Sequence, residues 1–224
     1  MTEEVINYGW FMNEGWNAMN HGLFTESAEA FHYASQVGEE NADIAAAHQG
    51  HGIAMRLLGE YLESHVSFGT ALLYARQDPA LKLRIMRDEA LTYMAEGKLQ
   101  RAYDMAHDSF IGLSRFDQDE SAASLGAMGR IELQRGHRAD ALRMFNEADG
   151  ILNRPGSNLD YQLNNLIWLL KVARPALRLA ILPRGLRLIK ATGQSRRKIE
   201  VVILVVVGGN RLYKLAERYK RRRR

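Results

Sequence analysis

The chain has 224 residues, enough for one repeat or globular domain plus an extension, and no cysteine. That absence excludes a disulfide framework, thiolate chemistry and cysteine-ligated zinc. The net charge of +4 hides a split: residues 1–153 carry 12 Lys/Arg against 23 Asp/Glu, and residues 154–224 carry 18 against 3. Charge segregated in this way assigns the two parts to different partners, or to each other. The acidic N-terminus Met1-Thr-Glu-Glu lacks an early apolar core, so no secretory leader is expected and the cytoplasm is the default compartment.

Four stretches share one local grammar. They are Gly22-Leu-Phe-Thr-Glu-Ser-Ala-Glu-Ala-Phe31, Gly59-Glu-Tyr-Leu-Glu-Ser-His-Val-Ser-Phe68, Gly97-Lys-Leu-Gln-Arg-Ala-Tyr-Asp-Met-Ala106 and Gly136-His-Arg-Ala-Asp-Ala-Leu-Arg-Met-Phe145. The leading glycines step by 37, 38 and 39 residues. A nearly fixed period in this range indicates stacked supersecondary units. Each glycine fits a tight turn between two helices. Five residues on stands Ser27, Ser64, Ala102 or Ala141, nine on Phe31, Phe68, Ala106 or Phe145, and twelve on Ala34, Ala71, Ser109 or Ala148. Seven residues before the glycine stands Gly15, Gly52, Ala90 or Gly129. Small residues let paired helices approach, and the phenylalanine fills the gap. Asp78-Pro79 reads as a helix cap followed by proline at the first helical position, Asp117 to Glu120 as a capping box, and Asn41 as a further cap.

This spacing resembles the tetratricopeptide (TPR) repeat over residues 5–152. The match departs from the family in its longer period, in lacking the closing proline and in having Ala106 at an aromatic position. The resemblance implies an all-α, TPR-like helical-repeat solenoid of four helix pairs plus a capping helix, with a basic C-terminal extension. The domains expected are a repeat domain at 1–153, a linker and capping helix at 154–173, and a basic, partly apolar tail at 174–224. Deleting residues 174–224 is then expected to leave a folded array.

The resemblance also implies a ligand groove lined by the first helix of each pair. Carried onto this sequence, the groove positions include Met12, Trp16, Met19 and Asn20, then Gln49, Ile53, Arg56 and Leu57, then Arg84, Arg87, Leu91 and Met94, and last Arg130, Leu133 and Gln134. Four arginines on this surface suit a carboxylate, which a guanidinium can grip with two parallel N–H groups. The competing account pairs them with Asp88, Glu89 or Glu132 inside the array.

Asn153-Arg-Pro-Gly-Ser157 reads as a loop, and Asn158 as a cap for the next helix. From Leu163 to Leu182 the chain is apolar except for Lys171, Arg174 and Arg178, which would share one narrow stripe of a continuous helix. Pro175 would kink or restart that helix, and Pro183-Arg-Gly185 would break it. Two uses compete: covering the last repeat, or lying in the plane of an anionic membrane. The basic residues available for such a surface are Lys171, Arg174, Arg178, Arg184, Arg187, Lys190, Arg196, Arg197, Lys198, Lys220, Arg221, Arg222, Arg223 and Arg224. Basic residues recur too often here for a spanning helix. The run Ile199–Val207 is rich in β-branched residues and needs a cover.

Sites for chemistry are sparse. His48 and His51 share a helix face but lack a third ligand at a recognisable spacing, so no metal is expected. No nucleophile–base pair and no phosphate-cradling loop stands out, so no cofactor and no enzymatic activity are expected. The expected function is a cytoplasmic adaptor or scaffold. It would bind a protein or peptide segment, acidic or carboxylate-ended, in the groove, and reach an anionic membrane surface at the inner face through its tail. The alternative is a nucleic-acid-associated regulator whose tail grips phosphate.

Overall fold

The computed structural model describes residues 7–193. Among the described residues there are ten helices and no strand. The expectations for Arg196, Arg197, Lys198, Ile199–Val207 and Lys220 to Arg224 concern residues outside this range. The chain divides between Asp117 and Gln118 into two compact units.

The first unit contains α1 (Tyr8–His21), α2 (Phe24–Val37), α3 (Asn41–Leu58), α4 (Tyr61–Tyr74), α5 (Pro79–Ala95) and α6 (Leu99–Leu113). They pair as antiparallel hairpins: α1 with α2, α3 with α4, α5 with α6. The second helices α2 and α4 also pack on the next first helices α3 and α5, and the first helices α1, α3 and α5 touch in succession. The second unit holds α7 (Gln118–Arg135), α8 (Arg138–Leu152), α9 (Leu159–Val172) and α10 (Pro175–Thr192). There α7 pairs with α8, and α9 packs on both as another first helix would.

The turn glycines behave as their sequence context predicts. Gly22, Gly59, Gly97 and Gly136 have φ of 74°, 94°, 84° and 90°. In each turn the residue after the glycine donates back to a carbonyl five residues earlier, for example Leu23 to Ala18 at 3.0 Å and His137 to Glu132 at 2.9 Å. This arrangement satisfies carbonyls that a helix end otherwise leaves open, and its left-handed residue is favourable for glycine.

The small residues do more than admit a neighbour. Ser27 Oγ donates to the Gly15 carbonyl at 2.9 Å, and Ser64 Oγ to the Gly52 carbonyl at 2.8 Å. The same bond ties the two helices of the first two pairs, whereas Ala102 and Ala141 cannot form it. Phe31, Phe68 and Phe145 are fully buried. A Cβ placed at either Gly15 or Gly50 would meet the Phe31 ring at 2.7 Å, so those helices pack at glycine distance.

Helix starts correct two expectations. Asp78 does cap α5, accepting from Leu81 N at 2.9 Å with Pro79 at the first position. Asn41, expected as a cap, is instead the first helical residue of α3, and the preceding Glu40 makes no side-chain cap. The chain does restart at Pro175, so Lys171 belongs to α9 while Arg178 belongs to α10, and the three-residue basic stripe of one helix does not form. Pro183, expected to break the helix, lies inside a continuous α10. Both Pro183 and Leu179, whose carbonyl loses its partner, are exposed, so water can serve that carbonyl.

The last helix is more than an extension. Leu188 and Ile189 of α10 join Leu163, Leu166, Ile167 and Leu170 of α9 in one buried cluster, with Ile181 and Leu182 packed against it. Arg184 holds Asp149 through two bonds of 2.7 and 2.8 Å. Residues 175–192 thus form the second member of a fifth helix pair.

Candidate functional site

The inferred groove positions fall on the first helices. In the first unit, Trp16 is exposed on α1 and stacks edge-on against Phe31, with ring centroids 4.9 Å apart. Met12 and Met19 are half-buried and Asn20 is exposed. On α3 and α5 the structure brings Gln49, Arg56 and Arg87 around one carboxylate. Asp88 accepts from Gln49 Nε2 at 2.6 Å and from Arg87 Nε at 3.1 Å and Nη2 at 3.4 Å. Arg56 lies close enough for Asp88 to act on its charge, although burial is the larger influence and lowers its pKa.

This network redistributes the four arginines. Arg87 is buried and committed to Asp88. Arg56 and Arg84 are half-buried as residues, with Nε of each buried, and Ile53 has the same intermediate exposure while Leu57 is exposed. Leu91 is buried. In the second unit, Arg130 lies over the Trp168 ring at 4.8 Å, Leu133 packs on the cluster around Phe145, and Gln134 is exposed.

A second polar cluster in the first unit escaped sequence reasoning. His65 bridges Glu89 at 3.0 Å and Glu96 at 2.9 Å and lies 4.3 Å from the Tyr93 ring, which Arg101 also covers at 4.2 Å. The His65 hydrogen bond, with help from Lys98, holds the Glu96 carboxyl below its ordinary value. His65 sits on a second helix and its partners on the next first helix or its end. No local spacing announces such a meeting.

Metal chemistry finds little support in the geometry. His48 and His51 have His32 as a neighbour, with His32 and His51 ring centroids 6.2 Å apart. Burial, then His32 and His48, push His51 down to about 4, and its Nδ1 bonds Ser67 Oγ at 2.8 Å. Among the described residues, three donors come within ligand distance of one another at Glu132, His137 and Asp140 instead. Both Glu132 oxygens are already engaged there, by Arg135 at 2.7 Å and by His137 at 2.6 Å. A cavity in the first unit is lined by Glu39, Glu40 and Asp43 beside Tyr8, an acidic setting unsuited to an acidic ligand.

The C-terminal basic residues fall into two groups. Arg178 is buried, and Arg184 is tied to Asp149, so both act inside the fold. Lys171 lies over Trp168 at 4.0 Å. Arg174, Arg187 and Lys190 are exposed. No helix among the described residues is long and apolar enough to cross a membrane.

No family model matches this sequence, and no curated protein matches it. Solved structures do. The Rap protein complexed with competence and sporulation factor aligns over 90% of this chain at 12% identity with a TM-score of 0.64, and this chain spans only 56% of that protein. A Podosopora anserina kinesin light chain with nearly identical TPR-like repeats aligns over 87% of this chain and 91% of its own, at 14% identity and a TM-score of 0.51. At such identities the likeness establishes the fold alone.

Proposed function

We propose that this chain, a TPR-like helical repeat, is a non-catalytic interaction scaffold that holds a protein or peptide segment on the face shared by α1, α3 and α5. One observation supports the reading: the first helices α1, α3 and α5 touch in succession, with Trp16 exposed on α1 and Arg56 and Arg84 half-buried on α3 and α5. An exposed aromatic anchor together with guanidinium groups suits a segment that is acidic or ends in a carboxylate. The Rap neighbour, solved with a bound factor, supports the same use of this fold. The test is binding of a set of short fluorescent peptides with free, acidic C-termini, each against its amidated form. Binding that weakens about tenfold on amidation, and again in Arg84→Glu, fits a guanidinium–carboxylate contact. Binding indifferent to both changes refutes it.

The C-terminal basic segment is proposed to attach to an anionic membrane surface. The support is the outward face of α10, where exposed Leu179, Leu186, Arg187 and Lys190 fall within about 100° of one another. Nucleic acid is the competing target, and it needs the charges without the leucines. Co-sedimentation of the full chain with anionic liposomes, run beside Leu179→Ser/Leu186→Ser, separates them. A loss on leucine replacement supports membrane. Unchanged sedimentation, with a mobility shift on nucleic acid at matched salt, supports phosphate.

A further inference from the structure

The acidic side chains of the second unit are largely matched. Asp119 bonds Arg154 at 2.9 Å, Glu132 bonds Arg135, Asp140 bonds Arg143 at 2.9 Å, and Asp149 bonds Arg184. Arg178 differs from these paired arginines. It is only 4% exposed, and its Nε has no hydrogen-bond partner among the described residues. No carboxylate acts on its charge. Burial comes first, then the Arg138 guanidinium, and both lower its pKa. A buried cation facing a second cation is strongly unfavourable unless an anion joins them.

Arg138, whose charge reaches Arg178, is exposed and anchored at the end of α9. Its Nη2 donates to the Val172 carbonyl at the end of α9, at 2.7 Å. The backbone adds charge of the same sign. Arg138 opens α8, and Arg178 sits just inside the start of α10. Neither helix has a side-chain cap, at His137 or at Arg174. Uncapped helix starts carry partial positive charge and free N–H groups, which favour anions.

We propose that Arg178 and Arg138 form an oxyanion-binding site, with Arg178 as its buried floor and Arg138 as its exposed arm. It takes a carboxylate or phosphate group, oxyanions that present two oxygens to a guanidinium fork. Two sources can supply one: a phosphate-bearing ligand, or the carboxylates Glu200 and Glu217 of the chain's own C-terminal segment. The site belongs to the second unit and does not depend on the peptide-binding reading.

The test uses thermal unfolding of the full chain in about 20 mM sodium phosphate against sodium chloride of equal ionic strength, so that general screening cancels. Phosphate raising the midpoint by about 3 °C corresponds to roughly tenfold saturation of a site on the folded state. That shift should disappear in Arg178→Met and shrink in Arg178→Lys, which keeps charge but loses the fork. Arg138→Gln, at an exposed residue, provides the same reading if the buried variant fails to fold. If the chain's own carboxylates fill the site, the parent shows no shift and Glu200→Gln/Glu217→Gln gains one, which supports the site with an internal occupant. The proposal is overturned if neither protein responds to phosphate, or if the response is equal in Arg138→Gln.

Discussion

Adding one methyl group should have opposite effects at two glycines of the same unit. At Gly50, in α3, a Cβ would lie 2.7 Å from two Phe31 ring carbons. The ring is fully buried and is equally close to a Cβ at Gly15, so it has little room to withdraw. Alanine gains about 1 kcal/mol of helix propensity over glycine, but overpacking a close-packed core costs about 1–3 kcal/mol. Gly50→Ala should therefore be net destabilising by up to about 2 kcal/mol. At Gly69, inside α4, a Cβ meets nothing within 4 Å. Gly69→Ala should retain the propensity gain and stabilise by up to about 1 kcal/mol. Urea unfolding of the full chain, followed by circular dichroism, reads both. Phe31→Leu in the Gly50→Ala background should recover part of the loss, with a coupling of opposite sign to the single effects. If Gly50→Ala is as stable as Gly69→Ala, close approach at Phe31 does not govern the helix pairing.

Asp88→Asn should destabilise by about 1–3 kcal/mol, because it removes the buried carboxylate that accepts from both Gln49 and Arg87; an unchanged midpoint in urea unfolding contradicts the network. By the same reasoning Arg87→Glu should lower stability, while Arg84→Glu should weaken peptide capture; unchanged capture in Arg84→Glu contradicts a guanidinium contact there. His51 is held at about 4 against 6.5 in the unfolded chain, so the unfolded state binds its proton first. Its stability contribution is therefore present above pH 6.5 and is lost as pH falls toward 4. His51→Gln should flatten the stability–pH curve in that window, and an unchanged slope would locate the effect elsewhere. Truncation after Ala173 should destabilise the second unit, since it uncovers Leu163, Leu166, Ile167 and Leu170; an unfolding curve matching the parent would return α10 to the status of a tail.

The helix pairs were legible in the sequence because their turns and contacts are local. Gly22, Gly59, Gly97 and Gly136 mark left-handed turns that glycine favours, and the small and aromatic positions follow at fixed offsets from them. Asp78-Pro79 was readable for the same reason, since a cap acts within one helical turn. What joins distant positions left no comparable mark. Whether Arg87 faces a ligand or Asp88, and whether Gln49 meets that same carboxylate, depends on how α3 lies against α5. His65 meets Glu89 and Glu96 across 24 and 31 residues, and Arg184 meets Asp149 across 35. The basic, apolar and proline-bearing composition of residues 174–192 fitted an anionic surface and packing on the protein alike, and packing turned Leu188, Ile189 and Arg178 inward. The apolar face of α9 determined that outcome, because leaving it in water would cost more than carrying a helix through Pro183. Sequence thus determined the local helical grammar, whereas only tertiary packing decided which charges are neutralised inside the protein and which remain available to a partner.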